Sequence, residues 1–172
     1  MAVASLVPLQ DYLSSSYHPD REYVEGRLIE RNGGEYNQSF LQGSIFLAFK
    51  AAGLRAYVEL RLQTGANRFR VPDVLALAPG QKRDDRYQQA PPYIVVEILS
   101  PEDTVGGVTE KLKDYFSLQI PNIWVVDPGE RTLTVHALRE TRTYTDRVAT
   151  SDNFVSLDLK EIFRQLEEDE AE

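Results

Sequence analysis

Two acidic residues stand where carboxylates are costly. Asp73 opens the apolar run Val74-Leu75-Ala76-Leu77, and Glu97 lies inside Tyr93-Ile94-Val95-Val96-Glu97-Ile98-Leu99. Aspartate and glutamate are almost never fully buried unless a partner or a metal neutralises them. Both runs read as core strands. Neighbouring strands lie about 4.8 Å apart, so carboxylates on adjacent strands repel unless a cation comes between them. A divalent metal is the simplest such cation, and Lys111 follows on the next predicted helix. Magnesium takes oxygen ligands, commonly one or two carboxylates with water and phosphate. Asp73 and Glu97 offer the carboxylates, and the main-chain carbonyl of Ile98 offers a further ligand; Mn2+ suits the same oxygens. Such a metal activates water and polarises a phosphate ester, while a nearby ammonium orients the water or stabilises the developing charge.

Each residue has a plainer role open to it. Asp73 alone fits a turn before a strand, and Lys111 fits a solvated helix lysine. Glu97 fits a salt bridge to Arg70 or Lys111, although five apolar neighbours (Ile94, Val95, Val96, Ile98 and Leu99) favour a functional role. Glu30 and Glu35 flank the first long helix and fit the surface. Arg61, Arg68 and Arg70 lead into Asp73, either as a phosphate-contacting flank or as a solvated face. Ser100, Glu102 and Asp103 do not make a hydrolytic triad, since no Gly-x-Ser-x-Gly elbow and no suitably placed histidine accompany them. His18 and His136 read as structural.

The elements that position the trio follow from periodicity. Pro8–Leu13 opens a short helix. Tyr23-Val24 and Leu28-Ile29 flank a Glu-Gly turn, a hairpin signal, and Asn32-Gly33-Gly34 breaks the chain. Residues 37–52 read as a helix stopped by Gly53. Residues 55–63 alternate as one half-buried strand, turned by 64–67 into an antiparallel Asp73 strand. Residues 79–92 form a loop. The near-continuous apolar run at 93–99 predicts a central strand covered on both faces. A helix over 108–119 and a strand over 123–127 make a right-handed crossover with parallel strands. Residues 132–137 and 142–148 look like a closing hairpin or edge strands. Leu159–Leu166 reads as a last helix, followed by a frayed acidic end over 167–172. The organisation is one domain over 1–166 with a disordered tail over 167–172.

The totals set bounds. A chain of 172 residues is long enough for one domain with a proper core. The lack of cysteine excludes disulfides, zinc–thiolate sites, Fe–S clusters and cysteine nucleophiles, and fits a reducing cytoplasm. No apolar run approaches the roughly 18 residues of a membrane span, and Met1–Gln10 lacks the basic and apolar regions of a leader. The net charge is −8, of which residues 161–172 hold −5 and the rest −3. That balance argues against tight, unspecific DNA binding, although a carboxylate metal site adds acids that its metal neutralises.

The order helix, strand, strand with Pro72-Asp73, strand with Glu97, helix, strand resembles the PD-(D/E)XK nuclease core. In that superfamily a lysine usually sits two residues after the second acid; here that residue is Leu99. A closer resemblance, from about Leu9 to Asp127, is to the Uma-type family of bacterial restriction-endonuclease-like proteins, long catalogued as a domain of unknown function. The segments that carry it are Glu22–Glu30, Arg70–Val74, Pro92–Pro101, Glu110–Tyr115 and Ile120–Pro128. The resemblance implies an α/β (α+β) fold with a restriction-endonuclease-like core, a mixed central sheet flanked by helices. It also implies a Mg2+-dependent DNA endonuclease in which Asp73, Glu97 and Ile98 bind metal and a lysine moved onto the following helix completes the site. At about 100° per residue, Lys111 lies about 40° from Tyr115 and Lys113 about 60° from Phe116, so geometry barely separates the two; the family pattern matches Lys111. The chain departs at Asn37, where the family often has a histidine; asparagine can hold water or phosphate but cannot act as a base. Analogy further implies a homodimer through the edge strands after Asp127. The alternative is a nuclease fold without turnover, serving as a binding or assembly module.

Overall fold

The computed structural model describes residues 6–31 and 34–171. The expected break at 32–34 and the leader-free start therefore fall partly outside the described residues. In chain order the elements are α1 (Leu9–Ser14), β1 (Glu22–Val24), β2 (Arg27–Ile29), α2 (Tyr36–Ala51), β3 (Arg55–Val58), β4 (Leu62–Gly65), β5 (Arg68–Arg70) and β6 (Val74–Leu77). They continue with β7 (Ile94–Ile98), α3 (Val105–Ser117), β8 (Asn122–Asp127), β9 (Thr132–His136), β10 (Thr141–Tyr144), β11 (Arg147–Ala149), β12 (Ser156–Asp158) and α4 (Leu159–Ala171). A mixed six-stranded sheet, ordered β10-β9-β8-β7-β6-β3, forms the centre; a four-stranded sheet, β2-β1-β5-β4, lies beside it.

The expected crossover is present. β7 and β8 are parallel, joined through α3, and β6 pairs antiparallel with β7. Every residue of β6 and β7 is buried. Alternation sends their side chains to opposite faces. Val74, Ala76, Ile94, Val96 and Ile98 pack with Leu41, Ile45 and Phe49 of α2 in the main core. Leu75 and Val95 pack with Leu62, Tyr115 and Ile123 on the α3 side. Glu97 has the parity of Val95, so it points toward α3.

Two expected strands are each cut in two. The alternation at 55–63 hides a break at Glu59, which adopts a left-handed φ of 50°. β3 therefore pairs with β6 in the central sheet, while β4 pairs with β5 in the smaller one. The partner strand breaks at Val71-Pro72-Asp73, where proline has no amide for a ladder. The pair thus passes from one sheet into the other, with Asp73 at the junction.

Other differences are local. α3 starts at Val105 rather than Val108; Gly106 and Gly107 obscure its first turn in the sequence, but the Thr104 side chain caps it by accepting the Gly107 amide at 3.1 Å. The stretch 142–148 divides between β10, which closes the hairpin with β9, and β11, which pairs with β12. The expected disordered tail is a correction: α4 continues to Ala171. Leu166 is buried, and Arg131 reaches Glu170 at 2.7 Å and Glu167 at 3.8 Å, which ties the acidic end to the strand connection before β9.

Candidate functional site

Asp73 is 3% exposed and is held from three directions. Arg31 Nη2 donates to Oδ1 at 2.7 Å, Gln38 Nε2 lies 3.3 Å from the same oxygen, and the Ile98 amide donates to Oδ2 at 2.7 Å. Gln42 fixes the Asp73 carbonyl at 2.9 Å. The Ile98 bond has a simple origin. The Leu99 amide donates to Val126 of β8, so by alternation the Ile98 amide faces the β6 side. Continuing the β6–β7 register by two residues sets Pro72 opposite Ile98, and the Asp73 carboxylate accepts the amide there. Burial first, and the Glu97 carboxylate second, push the Asp73 carboxyl up to about 7, against the opposing pull of Arg31, the Ile98 amide and Lys111.

Glu97 is 5% exposed. Lys111 Nζ donates to its Oε2 at 2.8 Å, and the Tyr115 hydroxyl donates to its Oε1. Lys111 and Tyr115 are one helical turn apart on α3, on the face that meets Glu97. Lys113 is exposed, so of the two lysines it is Lys111 that the structure brings to Glu97. Burial opposes the charge on Lys111, but Glu97 and then Glu22, 3.7 Å away, outweigh it and raise its pKa above the ordinary lysine value. Lys111 is therefore a lasting ammonium donor. Burial and Glu97 likewise raise the Tyr115 phenol, which stays protonated.

A second ionic cluster adjoins the first. Arg70 is 2% exposed and bonds Glu22 at 2.7 Å and Asp114 at 2.6 Å. Glu22 also accepts the Val71 amide at 3.2 Å. Arg68 adds to Asp114 at 3.1 Å. Arg61 grips Asp20 through two 2.7 Å bonds and stacks over Tyr12 at 4.2 Å. The three arginines are thus not a freely solvated face: carboxylates of the chain hold all of them.

Asp73, Glu97, Ile98, Lys111, Arg31, Gln38, Glu22 and Arg70 line one cleft of about 220 Å³. Among the described residues, no three acidic or histidine side chains are gathered to hold a metal. Two carboxylates and a main-chain carbonyl nevertheless match the sparse protein ligation that Mg2+ accepts, and burial beside Glu97 raises the proton affinity of Asp73. The donor set fits a divalent metal. Glu30 reaches the rim of the cleft but pairs with Arg21 at 2.8 Å. Glu35 lines a neighbouring hollow instead. Asn37 lines that same hollow and bonds Glu170 at 2.8 Å. Ser100 and Asp103 bond one another within their loop, at 2.8 Å from the amide and 3.0 Å from the hydroxyl.

The sequence reading passed over Arg31, Gln38 and Gln42. A signal for the glutamines exists: Gln38 and Gln42 fall on the α2 face that carries the buried Leu41, Ile45 and Phe49, where polar residues on an apolar face call for partners. For Arg31, placed by the meeting of two sheets, there is no local signal.

The family model Uma2, described as "Putative restriction endonuclease", matches residues 9–169. A crystal structure from Anabaena variabilis, described as a "putative nuclease belonging to DUF820", superposes with a TM-score of 0.78 at 23% identity, covering 93% of this chain and 99% of that one. At that identity the likeness establishes a shared fold. No curated protein matches the chain. Among the described residues, no helix is long and apolar enough to cross a membrane.

Proposed function

The chain belongs to the Uma2 family of restriction-endonuclease description, and from that premise we propose that it is a divalent-metal-dependent DNA endonuclease acting through Asp73, Glu97 and Lys111. The observation that carries this is the meeting of two buried carboxylates in one cleft, with Lys111 Nζ 2.8 Å from Glu97. Asp73 and Glu97 would hold Mg2+ or Mn2+, and the Ile98 carbonyl would be available beside them; it shares the strand edge of its amide and faces Pro72, which has no N–H to give. The bound metal supplies a Lewis acid for the phosphate and an activated water. Lys111 orients that water and offsets charge that develops on the phosphate. Tyr115 fixes the Glu97 carboxylate so that both acids keep their spacing.

The test is a nicking assay on supercoiled plasmid with Mg2+ or Mn2+. Cleavage is expected to need the metal, to stop with a chelator, and to vanish in Asp73→Ala and Glu97→Ala while circular dichroism stays native. Undiminished cleavage in both variants overturns the site.

One observation favours a second reading. Arg31, Gln38 and the Ile98 amide already fill the Asp73 oxygens, and Lys111 with Tyr115 fills those of Glu97. A cluster closed in this way suits a nuclease fold that binds without turnover. Calorimetric titration with Mn2+ separates the two, since the binding module takes up no metal.

A further inference from the structure

Arg31 stands on the oxygen a metal needs. Its Nη2 is 2.7 Å from Asp73 Oδ1, and its side chain is 9% exposed. It lies just beyond β2 in the smaller sheet, whereas Asp73 lies at the entry to the central one, so the contact bridges the junction of the two sheets. The guanidinium is only half used. Its Nη1 is buried without a hydrogen bond, with Glu59 3.5 Å away. Arg70 also leaves one nitrogen, Nη2, buried without a hydrogen bond, but its Nη1 and Nε are held by two separate acids, Glu22 at 2.7 Å and Asp114 at 2.6 Å. The other two donors to Asp73, Gln38 and the Ile98 amide, are neutral and leave its charge in place. Arg31 brings the positive charge, and it comes from the cleft side. A guanidinium and a divalent cation repel strongly at contact distance in a poorly solvated cleft, so the two cannot both hold Oδ1.

We propose that Arg31 is the resident counter-ion of the site: it neutralises Asp73 when no metal is bound, and a divalent cation must displace it to bind. The proposal rests on the reading of Asp73 and Glu97 as metal ligands. It makes Arg31 a residue that sets the metal concentration at which the site loads. A purely structural Arg31 would change stability and leave metal affinity alone.

The experiment is calorimetric titration of the full chain with Mn2+ alone, comparing wild type with Arg31→Ala, Arg31→Gln and Gln38→Ala. Arg31→Ala is expected to bind Mn2+ roughly tenfold tighter or more. Arg31→Gln, which keeps a donor but no charge, shifts in the same direction by less, and it carries the test if the alanine variant does not fold. Gln38→Ala changes affinity less than either. Unchanged or weaker Mn2+ binding in the folded Arg31 variants overturns the proposal. If wild type binds Mn2+ and Asp73→Ala does not, that failure belongs to Arg31 alone. Absence of Mn2+ binding in wild type and both Arg31 variants overturns the metal site together with it.

Discussion

Two buried ionic clusters share the cleft, and they are built differently. In the first, Glu22 and Asp114 close on Arg70, with Arg68 and the Val71 amide filling further oxygens. Burial works against the Arg70 charge, but Glu22 and Asp114 more than offset it and hold the guanidinium above its ordinary pKa. In the second, Asp73 and Glu97 face the same space, and Asp73 rises to about 7 because burial and Glu97 outweigh its donors. Burial of charge is common to both. In the first, two acids share one guanidinium; in the second, each acid has its own cation, Arg31 for Asp73 and Lys111 for Glu97, and both acids line the cleft.

The sharpest way to break this contrast is Arg70→Ala. It leaves Glu22 and Asp114 without their main partner, and the expected loss is about 3–5 kcal/mol, measured by urea denaturation. A loss below about 1 kcal/mol would put the first cluster on the same footing as a surface pair. Next comes Lys111→Met, which removes the ammonium and keeps much of the aliphatic stem. Cleavage is expected to fall by about 10²-fold or more with the plasmid-binding affinity little changed; a fall in binding alone would make Lys111 a docking residue.

Acidity gives a third contrast, for the protein without metal. The Asp73 pKa rises from 3.8 to about 7 on folding. Between those values the native state binds more protons than the unfolded chain, so the Asp73 contribution lowers stability as pH rises through that window and levels off above it. The slope is on the order of 1 kcal/mol per pH unit at its steepest. Urea titrations from pH 4 to 8 should show the fall in wild type and lose that component in Asp73→Asn; parallel curves would refute it. The smallest effect expected is that of Lys113→Ala. Because Lys113 is exposed on α3, cleavage should stay within about twofold of wild type, since surface substitutions of this kind have little effect.

The sequence disclosed the site through misplacement. Glu97 was legible because a charge inside Ile94–Leu99 contradicts its surroundings, and Asp73 because a carboxylate precedes a run of four apolar residues. Strand alternation and the helical turn from Lys111 to Tyr115 then bring the partners to Glu97. Arg31 was not legible. Its meeting with Asp73, 42 positions away, depends on how the two sheets join, and that junction rests on the left-handed Glu59 inside what reads as an unbroken strand. The same cause hid the roles of Arg61, Arg68 and Arg70: their exposure depends on which acids the segment before β1 (Asp20), β1 (Glu22) and α3 (Asp114) bring against them. The helical end of α4 was missed because six acids in a short stretch signal repulsion, whereas Arg131 supplies an opposing charge from elsewhere in the chain.

The β6–β7 ladder runs from Ala76↔Ile94 to Val74↔Val96 and then opens where Asp73 takes the Ile98 amide. The carboxylates sit at this open end, while the segment 78–93 joins the two strands at the other. Changes in the length of that segment therefore act on the chain remote from the chemistry. The backbone register, rather than the loop, sets the spacing of Asp73 and Glu97. Gln88 ties the segment to β4 through bonds of 2.8 Å to the Gln63 amide and 2.9 Å to the Arg61 carbonyl, so a new contact surface built between residues 78 and 87 would be anchored at its far side. The fold thus separates what an evolving chain can vary from what it must hold still, with three residue pairs of ladder between them.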